Sequence, residues 1–270
     1  MKEENKIIVA TCQFPVSKNI LNNSSYIQKQ LNEAASQNAE IVHFPECALS
    51  GYIGRDFKNI HEVNWDLIKQ EKENICNLVK KRKIYLILGS SFLDRNKDTK
   101  AYNCLYLIGK NGKVREIYSK RFSIEYDLDY YSLGDNFVTF EINGVRCGLL
   151  ICYEIRFPEL YREYKRKDVK VIFHSFYNAN KGKKDILSDI IPATIKARAA
   201  SNYLWISASN ASRYYQSWGS MLVRPDGSVY NCINRHKSGI MVNEINLECQ
   251  YYDSARTFRS KVMDRYLIDC

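Results

Sequence analysis

The chain has 270 residues, with 40 Lys and Arg against 30 Asp and Glu, a formal charge of +10 and 45% hydrophobic residues. Its five prolines and twelve glycines form no linker tract, so a single domain over residues 1–270 is expected. Nine scattered cysteines, odd in number and without a CxxC pair, argue against a disulfide framework and a zinc site, leaving most as small buried hydrophobes.

The amino terminus, MKEENKIIVATCQF, is too short an apolar run for a signal peptide or a membrane span. A cytoplasmic protein with no membrane partner is expected. From there IIVATCQF (7–14) reads as a strand, 23–38 as a helix with Ile27, Leu31, Ala34 and Ala35 on one face, and EIVHF (40–44) as a second strand. Trp65, Ile68, Ile75, Leu78 and Val79 mark a helix, and IYLILGSSF (84–92) the next strand. Two hairpins follow, turning at Asn111-Gly112 and Asn143-Gly144, dipeptides that accept the positive φ of tight turns. A helix at 157–167, a strand at 169–175, a helix through KARAASN and a strand at 203–209 precede a last meander that turns at Pro225-Asp226-Gly227. Strands in hairpin-linked groups with helices between them predict two packed sheets covered by helices. The basic runs 80–83 and 165–167 end helical patterns, where cations favour the helix dipole, and no nucleic-acid signature accompanies them. No nucleic-acid partner is expected.

Three residues with catalytic chemistry stand where strands end: Glu46 after EIVHFP, Lys120 after KVREIYS and Cys152 after CGLLI. Taken singly, each has a bland reading as a helix-start charge, a solvated lysine and a buried thiol. Together they suit acyl transfer. A thiol attacks an amide better than water does, a glutamate takes its proton, and an ammonium favours the thiolate and holds the oxyanion. The backbone N–H of Tyr153 is the natural second oxyanion donor. Cys152 is thus expected to be the most reactive thiol. A cysteine–histidine pair is the rival. Of the four histidines, His43 reads as a satisfied core residue, and His174, ending a strand, reads as a pocket-lining candidate that nothing marks as a base.

The segments HFPECALSGY (43–52), YSKRF (118–122) and LLICYEIRFPEL (149–160) resemble, in order and spacing, the three motifs of the nitrilase superfamily of carbon–nitrogen hydrolases. The likeness continues through Arg198-Ala199-x-x-Asn202, Gly219-Ser220 and the PDG turn. It implies an α–β–β–α sandwich that associates into four further-stacked layers, a Glu46–Lys120–Cys152 triad, and hydrolysis of a small linear amide or N-carbamoyl compound with no cofactor and no metal. It also implies at least a homodimer, with 247–270 as an arm laid on a partner subunit. A second family glutamate maps to Asp127, with Glu125 as the alternative. Arg156, four residues after the cysteine, has two readings. It pairs with Glu154, Glu159 or another acid, or it binds a substrate carboxylate, as the corresponding arginine does in N-carbamoyl amino acid hydrolases. Competing functions are nitrile hydrolysis by the same residues, a catalytically silent binding protein, and a basic RNA-associated protein.

Overall fold

The computed structural model describes residues 5–94, 99–178, 186–213 and 216–253, with 255, 256, 258, 259 and 261 beyond them. A first sheet is built from β1 (Lys6–Gln13), β2 (Ile41–His43), β3 (Tyr85–Phe92), β4 (Ala101–Ile108), β5 (Val114–Ser119) and the short β6 (Tyr131–Ser132). A second holds β7 (Thr139–Ile142), β8 (Val145–Ile151), β9 (Val171–Phe176), β10 (Trp205–Asn210), β11 (Met221–Val223) and β12 (Val229–Cys232), in the order β12-β11-β10-β9-β8-β7. The last strand, β13 (Gly239–Asn246), returns to the first sheet and completes its order as β13-β1-β2-β3-β4-β5.

Strand alternation sorts the layers. On β1, Ile7 and Val9 face the second sheet, where they join Leu149, Ile151, Phe173 and Ile206 in one core, while Ala10 and Cys12 face outward. Two helices cover that outer face. Helix α1 (Ile20–Ser36) starts where the Asn19 side chain accepts from Asn22 N, and it buries Ile27, Leu31 and Ala34. Helix α2 (Trp65–Arg82) is capped likewise by Asn64, and ends in three cations and a left-handed Lys83. On the far side, α3 (Pro158–Arg166) and α4 (Leu187–Asn202) pack Leu160, Tyr161, Tyr164, Ile191 and Ile195 against the second sheet. The result is the expected α–β–β–α sandwich. A polar rung crosses between the sheets, with Thr11 Oγ1 2.7 Å from Ser207 Oγ and the His43 ring nitrogens each 2.9 Å from Ser207 and Ser175 hydroxyls. Burial pushes His43 down to about 3, so it is a neutral, satisfied core residue.

Several local readings change. At 143–144 both residues have positive φ (51° and 75°) and Ile142 pairs with Val145, a two-residue turn as expected. At 109–113 only Gly112 is left-handed. Gly112 N–H donates to Gly109 O at 2.8 Å, and the longer loop is absorbed by a register shift at Leu107/Ile108. The expected meander is a single hairpin, β11–β12. The chain then crosses to β1, whose nearly complete burial requires a ladder partner on both edges. At the start of the carboxy-terminal segment Tyr251 N–H donates to Tyr203 Oη at 3.0 Å, and the Tyr251 ring meets Trp205 edge-on at 5.4 Å. Most of the arm after Asp253 lies outside the described residues. Among the described residues, no helix is long and apolar enough to cross a membrane.

Gly89 on β3 shows how tightly the fold holds the segment that carries Glu46. A Cβ there would stand 2.1 Å from Pro45 O and 2.9 Å from Cys47 N. Gly89→Ala is expected to destabilise the protein by about 2 kcal/mol or more in urea unfolding. An unchanged midpoint would contradict this close packing.

Candidate active site

Each of the three candidate residues is set by a strand end. Pro45 closes β2, and the turn at 46–50 follows, with Gly51 N–H donating to Cys47 O at 2.9 Å. Lys120 directly follows β5, and its own backbone is clamped: its N–H donates to Asn103 O and its carbonyl accepts from Gly134 N, both at 2.8 Å. Cys152 lies between β8 and a short 3-10 segment, Cys152–Arg156, with φ at +42°. Such a backbone is strained for a residue with a Cβ, and it turns the thiol out of the sheet into the cavity.

Lys120 and Cys152 reach the floor of a cavity of about 210 Å³ lined also by Tyr52, Asp127, Tyr153 and Arg156 among others, and Glu46, fully buried, meets Lys120 beneath it. Lys120 Nζ lies 2.8 Å from Glu46 Oε1 and 3.6 Å from Asp127 Oδ2, and all three groups are buried. Burial works against the ammonium, but Glu46, Cys152 and Asp127 outweigh it and hold Lys120 above its ordinary value. Burial, reinforced by the Glu46 charge, pushes the Cys152 thiol up, with Lys120 and the Tyr177 N–H only partly opposing it. The resting pair is therefore a thiol beside a carboxylate. Cys152 is half-buried, whereas Cys232 and Cys249 are exposed.

The remaining candidates separate. Asp127 is buried at the site, accepting from Tyr52 Oη at 2.6 Å, whereas Glu125 is exposed. One oxygen of Asp127, Oδ1, is buried without a partner among the described residues. Tyr153 lines the cavity, and its N–H, in the first turn of the 3-10 segment, has no carbonyl partner inside that segment. Arg156 is exposed on the cavity wall and has no ion pair among the described residues. Its expected partner Glu154 is fully engaged elsewhere. His174 does not line the cavity. It faces the layer behind Cys152, with Nδ1 2.6 Å from Tyr161 Oη and its ring stacked on Phe176, and burial pushes it well below the usual imidazole range. His174 and Phe176 share one face of β9, and Phe176, nearer the strand end, reaches the cavity with Tyr177 and Asn178 while His174 lies behind it.

Sequence reasoning missed three residues that orient the carboxylates. Asn103 Nδ2 donates to Glu46 Oε1 at 2.7 Å, Tyr177 N–H donates to Glu46 Oε2 at 2.9 Å, and Tyr52 Oη bridges Asp127 and Lys120. None lies inside the segments read as chemistry except Tyr52, which ends HFPECALSGY. Glu154 is a fourth. It accepts from Ile151 N at 2.7 Å, Arg121 N at 2.7 Å and Tyr118 Oη at 2.8 Å, tying the cysteine turn to the lysine strand. Among the described residues, no group of three His, Cys, Asp or Glu side chains is placed to hold a metal ion.

The chain is similar to known proteins along most of its length. The carbon–nitrogen hydrolase family model matches residues 8–251. The omega-amidase NIT2 of Homo sapiens is 27% identical over 272 residues, covering 94% of this chain and 92% of that protein. A 2-oxoglutaramate amidase of Bacillus subtilis is 29% identical over 177 residues, covering 63% and 64%. An amidase of the nitrilase superfamily from Nesterenkonia superposes with a TM-score of 0.81 at 17% identity, covering 99% of each chain, in a structure with the acetamide moiety of fluoroacetamide added at its active-site cysteine.

Burial raises Glu154 to about 7, despite the three donors it receives. Because the folded protein binds this proton more tightly than the unfolded chain, the contribution to stability is full below about pH 4.5 and is lost as pH rises through about 7. The loss is up to about 3 kcal/mol. Glu154→Gln is expected to flatten this part of the pH–stability curve, measured by urea midpoints between pH 4.5 and 8. Identical slopes in the two proteins would refute it.

Proposed function

The chain belongs to the carbon–nitrogen hydrolase family, and on that premise we propose that it cleaves a small linear amide or N-carbamoyl compound through an acyl intermediate on Cys152. The observation that carries this reading is the meeting of an ammonium, a carboxylate and a thiol, from Lys120, Glu46 and Cys152, at one cavity floor. As Cys152 Sγ attacks the carbonyl carbon, its proton passes to Glu46. Charge collects on the carbonyl oxygen, which Lys120 Nζ and the Tyr153 N–H receive; losing one such donor costs roughly 3 kcal/mol. When the oxyanion collapses, the C–N bond breaks and Glu46 returns its proton to the leaving nitrogen. Water then attacks the thioester, giving its proton to Glu46, and the acid departs as the thiol is restored. The raised thiol makes proton transfer part of the attack, which is why the base must already be oriented by Asn103 and Tyr177. Asp127 Oδ1, buried and unpaired, suits an N–H of the substrate amide.

For the substrate we rank carboxylate-bearing amides above neutral ones and cationic ones last. Arg156 on the cavity wall, without an acidic partner among the described residues, supports that order, as do relatives named for 2-oxoglutaramate and omega-amides. Eight described cysteines, all free thiols, fit a reducing cytoplasm. Exposed Tyr252 and Phe258 in the carboxy-terminal arm support association into at least a homodimer.

Fluoroacetamide, an amide-shaped electrophile, is expected to add one acetamide group to Cys152 before Cys232 or Cys249, read by peptide mass. Cys152→Ala should release no ammonia from any amide, and Lys120→Ala should slow release by a factor on the order of a hundred. Preferential labelling of the exposed thiols, or an active alanine variant, would overturn the assignment. Light scattering should give at least twice the chain mass at micromolar concentration, and a clean monomer would remove the assembly proposal.

A further inference from the structure

The same cavity is lined by a second arginine, Arg55, which the sequence motifs do not mark. Its loop is pinned from both sides. Arg55 N–H donates to Tyr52 O at 3.2 Å and Asp56 N–H to the same carbonyl at 2.7 Å. The Asp56 carboxylate is consumed by Tyr52 N at 2.9 Å, Tyr177 Oη at 3.2 Å and the Arg213 guanidinium. Asp56 therefore does not neutralise Arg55. Among the described residues Arg55 has no ion pair; its guanidinium is instead stacked 5.6 Å over the Tyr126 ring.

That platform is itself fixed. Tyr126 Oη donates to Gly54 O at 3.2 Å and accepts from Tyr130 Oη at 3.3 Å. Gly54, at φ +86°, lets the loop lie directly on these rings, since a Cβ would stand 2.8 Å from Tyr130. Stacking immobilises a guanidinium while leaving its edge donors open, which is how arginine presents a fork to an anion. The charges of the cavity are thus separated. Two carboxylates and one ammonium face the thiol at the floor, and two arginines without acidic partners stand on the wall.

We propose that Arg55 is a specificity-determining residue which, with Arg156, binds the anionic end of the substrate and so directs its amide toward Cys152. This rests on the amidase reading above, and it adds a residue from the loop after Glu46 to the substrate site. The floor, with one more carboxylate than ammonium, repels a carboxylate and accepts the N–H groups of an amide; the wall does the opposite. The orientation follows from this polarity.

The test is the ratio of kcat/KM for succinamate to that for butyramide, a neutral amide of equal length, in the full-length protein and in Arg55→Ala. The ratio is expected to fall by about tenfold or more, chiefly through KM for succinamate, with Arg55→Lys in between because it keeps charge but loses the fork. An unchanged ratio, whether both activities fall together or neither does, overturns the proposal. Should the native protein hydrolyse neither amide, the amidase reading fails separately, and Arg55 is judged by binding. Cys152→Ala protein is titrated with succinate, and adding Arg55→Ala should weaken the affinity about tenfold. Equal affinities, or no succinate binding to either protein, overturn it.

Discussion

The Lys120–Glu46 ion pair, 2.8 Å apart and sealed from solvent, is the contact on which the cavity floor depends. An isolated buried charge costs several kcal/mol, and the cost is recovered only when every remaining donor and acceptor is matched. Here the matching draws on both sheets. Lys120 and Asn103 come from the first, while the N–H that holds the second oxygen of Glu46 belongs to Tyr177, at the end of β9 in the second. The carboxylate is therefore also a pin between the two sheets, and the geometry of the base cannot drift without loosening the sandwich.

The thiol is placed by a different device. Cys152 sits in left-handed backbone at the end of β8, a conformation that costs free energy and persists because its surroundings enforce it. Glu154 supplies much of that enforcement, by bonding Ile151 before the turn and Arg121 beside the lysine. Cys47, next to Glu46, is left-handed too. Two strained turns, one per sheet, thus flank Glu46 and carry Cys152, and these groups are placed by backbone bends rather than by flexible side chains.

Much of this was legible in the sequence, for a physical reason. Strand ends are marked locally by an apolar run that stops, so Glu46, Lys120 and Cys152 could be found one segment at a time, and the motif resemblance joined them. The residues that orient them could not. Asn103 lies in mid-strand among apolar neighbours, and Tyr177 acts through its backbone N–H, which no residue type announces. His174 reads as pocket-lining in the sequence because it lies near a strand end, but Phe176, two residues further along the same face, stands between it and the cavity. Glu125 and Asp127 differ by two positions on a 3-10 segment, where only the structure reveals which carboxyl turns inward. The last meander gave no sign that its closing strand leaves for β1, because that pairing is set by a vacancy at an edge formed early in the chain.

That vacancy has a consequence for how the protein is made. β1 pairs with β13 along its length, from Lys6 opposite Asn246 to Gln13 opposite Gly239. During synthesis the first sheet, with Glu46 on it, therefore emerges with one long edge open, and it stays open until residues 239–246 are made. The segment waiting there is IIVATC, an apolar strand of the kind that pairs with other chains when left uncovered. Contacts so distant in sequence also form slowly, because the loop must close before the ladder rewards it. A chain cut short after Cys152 but before β13 would thus hold Glu46, Lys120 and Cys152 on a first sheet that cannot close.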